Sequence, residues 1–85
     1  MIKVTENKEL NDVFTFYPNP TVDQVWITGL DGEAELIVYD TNGRVLKIVP
    51  IVNNQSVPTN DLSEGVYLIH VEQGDTYQTE LLIKN

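Results

Sequence analysis

Apolar side chains recur at every second position along this chain, in short runs broken by clusters of Gly, Pro, Asn and Asp. That two-residue period predicts short β-strands joined by turns. Val13-Phe14-Thr15-Phe16-Tyr17 is the first run, stopped by Pro18-Asn19-Pro20, where two prolines remove ladder donors. Gln24-Val25-Trp26-Ile27-Thr28 follows, with Val25 and Ile27 on one face, and residues 29–32 make a turn. Residues 34–49 form a central hairpin, and Pro50 limits further strand pairing. The pattern weakens until Gln55-Ser56-Val57, a short edge strand before Pro58. After a turn at residues 61–65, Val66-Tyr67-Leu68-Ile69-His70-Val71 puts Tyr67, Ile69 and Val71 on one face. Gln73-Gly74-Asp75 connects to a last strand over residues 76–84, with Tyr77, Thr79, Leu81 and Ile83 on one side. Residues 1–12 carry charge without sustained periodicity and read as a linker or frayed end, leaving residues 13–85 as the folded domain.

The central hairpin has two candidate registers around Asp40-Thr41-Asn42-Gly43-Arg44. A two-residue Asn42-Gly43 loop would place Val38 opposite Lys47 and Asp40 opposite Val45, mixing charge into both faces. A three-residue loop, opened by Asp40 as a type I turn and closed by a left-handed Gly43, pairs Leu36 with Ile48, Val38 with Leu46 and Asp40 with Arg44. That register makes one face wholly apolar and ends in an ion pair. The bulged three-residue loop is the one expected.

About seven short strands and no amphipathic helical window predict an all-β fold, an antiparallel immunoglobulin-like β-sandwich. Leu62-Ser63-Glu64-Gly65-Val66-Tyr67 resembles the corner of such sandwiches, in which a Tyr hydroxyl bonds back to nearby backbone. Strand order is not readable from the pattern.

Composition narrows the function. Five basic and thirteen acidic residues give a net charge of −8, which argues against nucleic acid and anionic lipid as partners. The absence of cysteine removes disulfides, thiolate catalysis and zinc-thiolate sites. No apolar run approaches the roughly 20 residues of a membrane span, and no apolar segment of the signal-peptide kind follows Met1. A cytoplasmic protein or one module of a longer chain is therefore expected. His70, the single histidine, lies opposite Tyr67 and Ile69 in the alternation and reads as solvated. No nucleophile, base and orienting group can be assembled, so neither enzymatic activity nor a cofactor is expected. Asp40-x-Asn42-Gly43 resembles the opening of a calcium loop, but Arg44 and Val45 stand where further oxygen ligands are needed, and a structural turn is the better reading. Tyr17, Trp26 and Tyr39 form a candidate aromatic platform, with packing the simpler role. The segment Leu81-Leu82-Ile83-Lys84 offers a candidate recognition edge for strand addition, weighed against an ordinary core strand.

Three blocks together carry a family resemblance: Phe16-Tyr17-Pro18-Asn19-Pro20, Val38-Tyr39-Asp40-Thr41-Asn42-Gly43-Arg44-Val45, and Leu62-Ser63-Glu64-Gly65-Val66-Tyr67-Leu68-Ile69-His70-Val71. In order and spacing the chain resembles the type A C-terminal sorting domain of the type IX secretion system of Bacteroidota, over residues 14–84. The resemblance implies a non-catalytic export address. An upstream cargo precedes it, the outer-membrane translocon recognises it, and a sortase-like surface protease removes it by a cut in or before residues 1–12. The cargo is then secreted or joined to anionic lipopolysaccharide, after passing through the periplasm. By the same resemblance Tyr17, Pro18, Asn19 and Pro20 form a stiff lead-in, and Asp40, Gly43, Arg44, Gly65 and Tyr67 fix turns and the sheet edge. Relatives often end in a basic cluster, whereas this chain ends Leu82-Ile83-Lys84-Asn85. Two other classes remain: an accessory immunoglobulin-like adhesion or carbohydrate-binding domain, suggested by the sandwich and Trp26, and a small metal-dependent enzyme.

Overall fold

The structure is a computed structural model that describes residues 8–9 and 14–85. Over these residues the fold is all-β, with eight strands in two sheets. They are β1 (Lys8–Glu9), β2 (Thr15–Tyr17), β3 (Gln24–Thr28), β4 (Ala34–Tyr39), β5 (Val45–Ile51), β6 (Gln55–Pro58), β7 (Gly65–Gln73) and β8 (Thr76–Lys84). One sheet has the order β1-β8-β7-β4-β5 and the other β2-β3-β6. All pairings are antiparallel except β1 beside β8, which is parallel at Lys8 with Thr76 and Glu9 with Tyr77. The predicted sandwich is thus observed. The linker expected over residues 1–12 otherwise lies outside the described residues, as does Val13, and the first strand of the smaller sheet starts at Thr15.

Alternation along the strands builds the core between the sheets. Phe16, Val25, Ile27 and Val57 from the small sheet face Leu36, Val38, Ile51, Tyr67, Ile69, Val71 and Leu82 from the large one, all buried. Phe14, just before β2, packs edge-on against Phe16 at 5.2 Å between ring centroids, the geometry favoured by aromatic quadrupoles.

The hairpin of β4 and β5 resolves the register question in an unexpected way. The turn is the three-residue one: the Asp40 N–H donates to Arg44 O and the Gly43 N–H to Asp40 O, both at 3.0 Å, with Gly43 at φ +85°. Beyond Tyr39 opposite Val45 the ladder shifts, so Val38 faces Lys47, Ile37 faces Ile48 and Leu36 faces Val49. The expected pairs Leu36 with Ile48 and Val38 with Leu46 are therefore wrong by one residue, because a bulge takes up Leu46. The bulge lets the chain have the favoured turn and still bring Val49 and Ile51 inward. Lys47 then falls on the inner face. It lays its stem along the rim and carries its amine out to Pro58 O at 2.9 Å and Asp61 Oδ1 at 2.8 Å.

Pro50 does not end pairing as expected. It sits opposite Glu35 within β5, and β5 is an edge strand, where a missing N–H breaks no ladder bond when it points away from the sheet. A Cβ at Gly43 would meet nothing within 4 Å, so only backbone strain opposes a side chain there. Gly43→Ala should therefore destabilise the domain by about 1 kcal/mol, read as a lower urea midpoint at unchanged slope.

Candidate recognition surface

The segment after β2 is tied to the far strand of the other sheet. Both prolyl bonds, Tyr17–Pro18 and Asn19–Pro20, are cis. Asn19 lies along the edge of β8 and uses its amide as a surrogate peptide group: Nδ2 donates to Leu81 O at 2.8 Å, and Oδ1 accepts from the Ile83 N–H at 2.9 Å. Thr21 continues the imitation with real backbone. Its N–H donates to Ile83 O at 2.8 Å and its carbonyl accepts from the Asn85 N–H at 2.9 Å, forming a parallel bridge with Lys84. The Thr21 hydroxyl, fully buried, donates to Gln24 O at 2.8 Å and lies 3.0 Å from the Thr59 hydroxyl.

This arrangement changes the reading of residues 81–84. Leu82 and Lys84 point to the inner side, Leu82 with no exposure at all, while Leu81 and Ile83 point outward and are exposed. The outward backbone groups of Leu81 and Ile83 already have partners in Asn19 and Thr21. Strand addition at this edge would require displacement of residues 19–21. Asn19→Ala removes two of these bonds and should cost about 1–2 kcal/mol, with faster amide hydrogen exchange at Ile83 as the specific readout.

Asp40 and Tyr67, also singled out from the sequence, hold turns. Asp40 Oδ1 accepts from the N–H groups of Asn42 and Arg44, each at 2.9 Å, and Oδ2 from Arg44 Nε at 3.2 Å. Both oxygens of the carboxylate are thus engaged in holding the turn, where a calcium loop would need them for the ion. The Tyr67 hydroxyl donates to Ser63 O at 2.5 Å, the predicted corner, next to Gly65 at the start of β7. The corner pins the connection between β6 and β7.

Two carboxyl groups are held below their ordinary value of 3.8. Asp40 is lowered by the Arg44 N–H, then by Asn42 and the Arg44 guanidinium, against some desolvation. Asp61 is lowered by the Lys47 ammonium. Depressed carboxyl pKa values mean that the unfolded chain binds protons more readily, so their stabilisation is complete above pH 3.8 and is lost as pH falls through the folded values. In thermal melts from about pH 6 to pH 2.5, the stability gap between the native chain and Asp40→Asn should be widest at the upper end and close at the lower.

His70 is half-buried rather than solvated. Its Nδ1 lies 2.8 Å from Thr79 Oγ1, its Nε2 3.8 Å from Glu72, and its ring leans on Tyr77 at 5.2 Å between centroids. An open groove of about 280 Å³ is lined by Glu33, Pro50, Ile51, Val52 and Gln55, away from His70 and from the turns just described. Among the described residues no group of three or more His, Cys, Asp and Glu is placed to hold a metal ion. Among the described residues no helix is long and apolar enough to cross a membrane.

Two features escaped the sequence reading. The buried Thr21 and Thr59 pair leaves no local signal, because the partners are 38 residues apart. The second is an apolar outer face on the large sheet, which was legible in principle: Val66-Tyr67-Leu68-Ile69 and Leu81-Leu82-Ile83 are apolar in both phases of the alternation, more than a one-sided strand needs.

Comparison with curated proteins gives no match. The family described as "Secretion system C-terminal sorting domain" matches residues 15–85, nearly the whole described fold and all three sequence blocks. The chain belongs to that family, the C-terminal sorting domain of type IX secretion.

Proposed function

We propose that this domain is a folded, non-catalytic address that directs an upstream cargo through the type IX translocon, after which a sortase-like surface protease removes it by a cut in or before residues 1–12. Membership of the family carries this reading, since a C-terminal sorting signal implies export across the outer membrane to the surface or medium. The geometry supports it. Asp40, Arg44, Tyr67, Asn19 and Thr21 all spend their polar groups on turns and edges of their own fold. In this reading Tyr17, Pro18, Asn19, Pro20, Asp40, Gly43, Arg44, Gly65 and Tyr67 act by keeping one rigid shape available to the machinery. The proposed partners are the translocon with its attachment complex and the cargo, and the proposed route runs through the periplasm of a Bacteroidota-type cell.

Fusing residues 1–85 behind a periplasm-targeted reporter, in a bacterium carrying the system, should send the reporter to the surface or medium. Retention of a folded, intact fusion in the periplasm would refute the proposal.

A carbohydrate-binding reading has one observation in its favour. Tyr17 and Trp26 are direct cross-strand neighbours on the outside of the small sheet, 46% and 38% exposed. Glycan titration followed by Trp26 fluorescence separates the two readings, because a pure sorting module gives no saturable response.

A further inference from the structure

The large sheet has two edges and an outer face, and they differ in how they are protected. The β8 edge is covered by β1 and by residues 19–21. The β5 edge carries a bulge at Leu46 and a proline at position 50, two devices that discourage strand addition. Among the described residues nothing covers the outer face in this way. Ladder neighbours Val66 and Ile83, Leu68 and Leu81, Tyr39 and Leu68, Tyr39 and Val45, and Ile37 and Ile48 all present side chains there. Leu81 and Ile48 are more than half exposed, and Val45, Val66, Ile83 and Leu68 between 37% and 48%. Together they expose on the order of 500 Å² of contiguous apolar surface, within the roughly 300–600 Å² of the largest patch on a monomer, which is often functional.

We propose that this face, centred on Leu68 and Leu81, docks a protein partner with an apolar contact patch and a rim of Lys and Arg. The proposal rests on the sorting function above and names the surface by which the export machinery reads the domain. The charge pattern selects the partner. Glu35 and Glu72 stand on the same face beyond Ile37 and His70, and Glu64 immediately precedes β7. The chain as a whole carries −8. A second copy would bring the same net charge against itself, and an anionic lipid surface would be repelled. A basic rim is complementary, and it would speed encounter while the apolar centre supplies affinity. The exposed apolar area is large enough to form the apolar centre of a standard interface of roughly 800 Å² per partner, with the polar rim supplying the rest.

The test uses the reporter fusion with Leu68→Thr, Leu81→Thr and Ile83→Thr combined, since Thr keeps strand propensity while removing apolar surface. Val22→Thr with Val52→Thr, both exposed elsewhere, is the control. With melting curves of the purified 85-residue chains showing an intact fold, the triple variant should lower exported reporter at least about tenfold and the control should not. Export of the folded triple variant at the native level overturns the proposal. Failure of the native fusion itself overturns the sorting reading and this surface with it. Concentration-dependent dimerisation of the native chain in sedimentation, lost in the triple variant, overturns the stated occupant in favour of a second copy; co-sedimentation with neutral phosphatidylcholine vesicles, lost likewise, overturns it in favour of lipid. If the triple variant unfolds, Leu81→Thr alone carries the test, with a fall of about threefold supporting the surface and native export refuting it.

Discussion

Leu82→Ala is expected to destabilise the domain by about 2–5 kcal/mol, the range for deleting a fully buried leucine. Leu82 has no exposure and packs from the inner side of β8 into the core shared with the small sheet. A domain this small buries only about 60–65% of its unfolded surface and sits near the lower end of the usual 5–15 kcal/mol of stability. The substitution therefore removes a large share of what holds the fold, and urea denaturation should show a much lower midpoint at nearly constant slope. Its neighbour behaves differently. Leu81 is 52% exposed on the opposite side of the same strand, and Leu81→Thr should leave the midpoint nearly unchanged. Adjacent residues thus separate two causes of lost secretion. Under the proposals above, a defect at 82 would report an unfolded domain, and a defect at 81 the loss of the docking surface.

Thr21→Val is the second large effect, expected at about 1–3 kcal/mol although the two side chains have nearly the same shape. A hydroxyl has one hydrogen to give. The Thr21 hydroxyl gives its own to Gln24 O, so the hydroxyl of Thr59 is the donor in the contact between them. Valine at 21 therefore removes the partner that two groups have in the Thr21 hydroxyl, the carbonyl of Gln24 and the hydroxyl of Thr59. Thr59→Val removes only the donor to Thr21, whose own bond survives, and should cost less. The double substitution should cost less than the sum of the singles, because the orphaned Thr59 hydroxyl is then gone. Chemical denaturation of the three variants measures the ranking. A larger loss at 59 than at 21 would contradict the hydrogen-bond direction assigned here.

How far the sequence carried the structure depends on the range of each interaction. The strands, the inward set of Val25, Ile27, Tyr67, Ile69 and Val71, the Asp40 turn and the Tyr67 corner are local patterns, and each was legible. The register beyond the turn was not. The alternation argument assumed that a charged Lys47 could not face inward, whereas its stem packs and its amine reaches Asp61 fourteen residues away. The closure of the β8 edge was also hidden, since Asn19 and Ile83 meet across 64 residues. Asn19 reads from the sequence as part of a stiff lead-in, and only the folded chain assigns it to the edge of β8. The apolar outer face failed for a different reason. The two-sided apolar runs of β7 and β8 were in view, but a one-sided core was assumed.

The stitching of Thr21 to residues 83 and 85 has a consequence for biosynthesis. β8 lies between β7 and the residues that follow β2, so nothing translated before residue 76 can supply its rungs or fill the place of Leu82. A nascent chain leaving the ribosome reaches this shape only when residues 76–85 have emerged. Under the sorting role proposed above, a precursor that stops before residue 76 would lack a completed label, and its cargo would stay behind without any separate proofreading step.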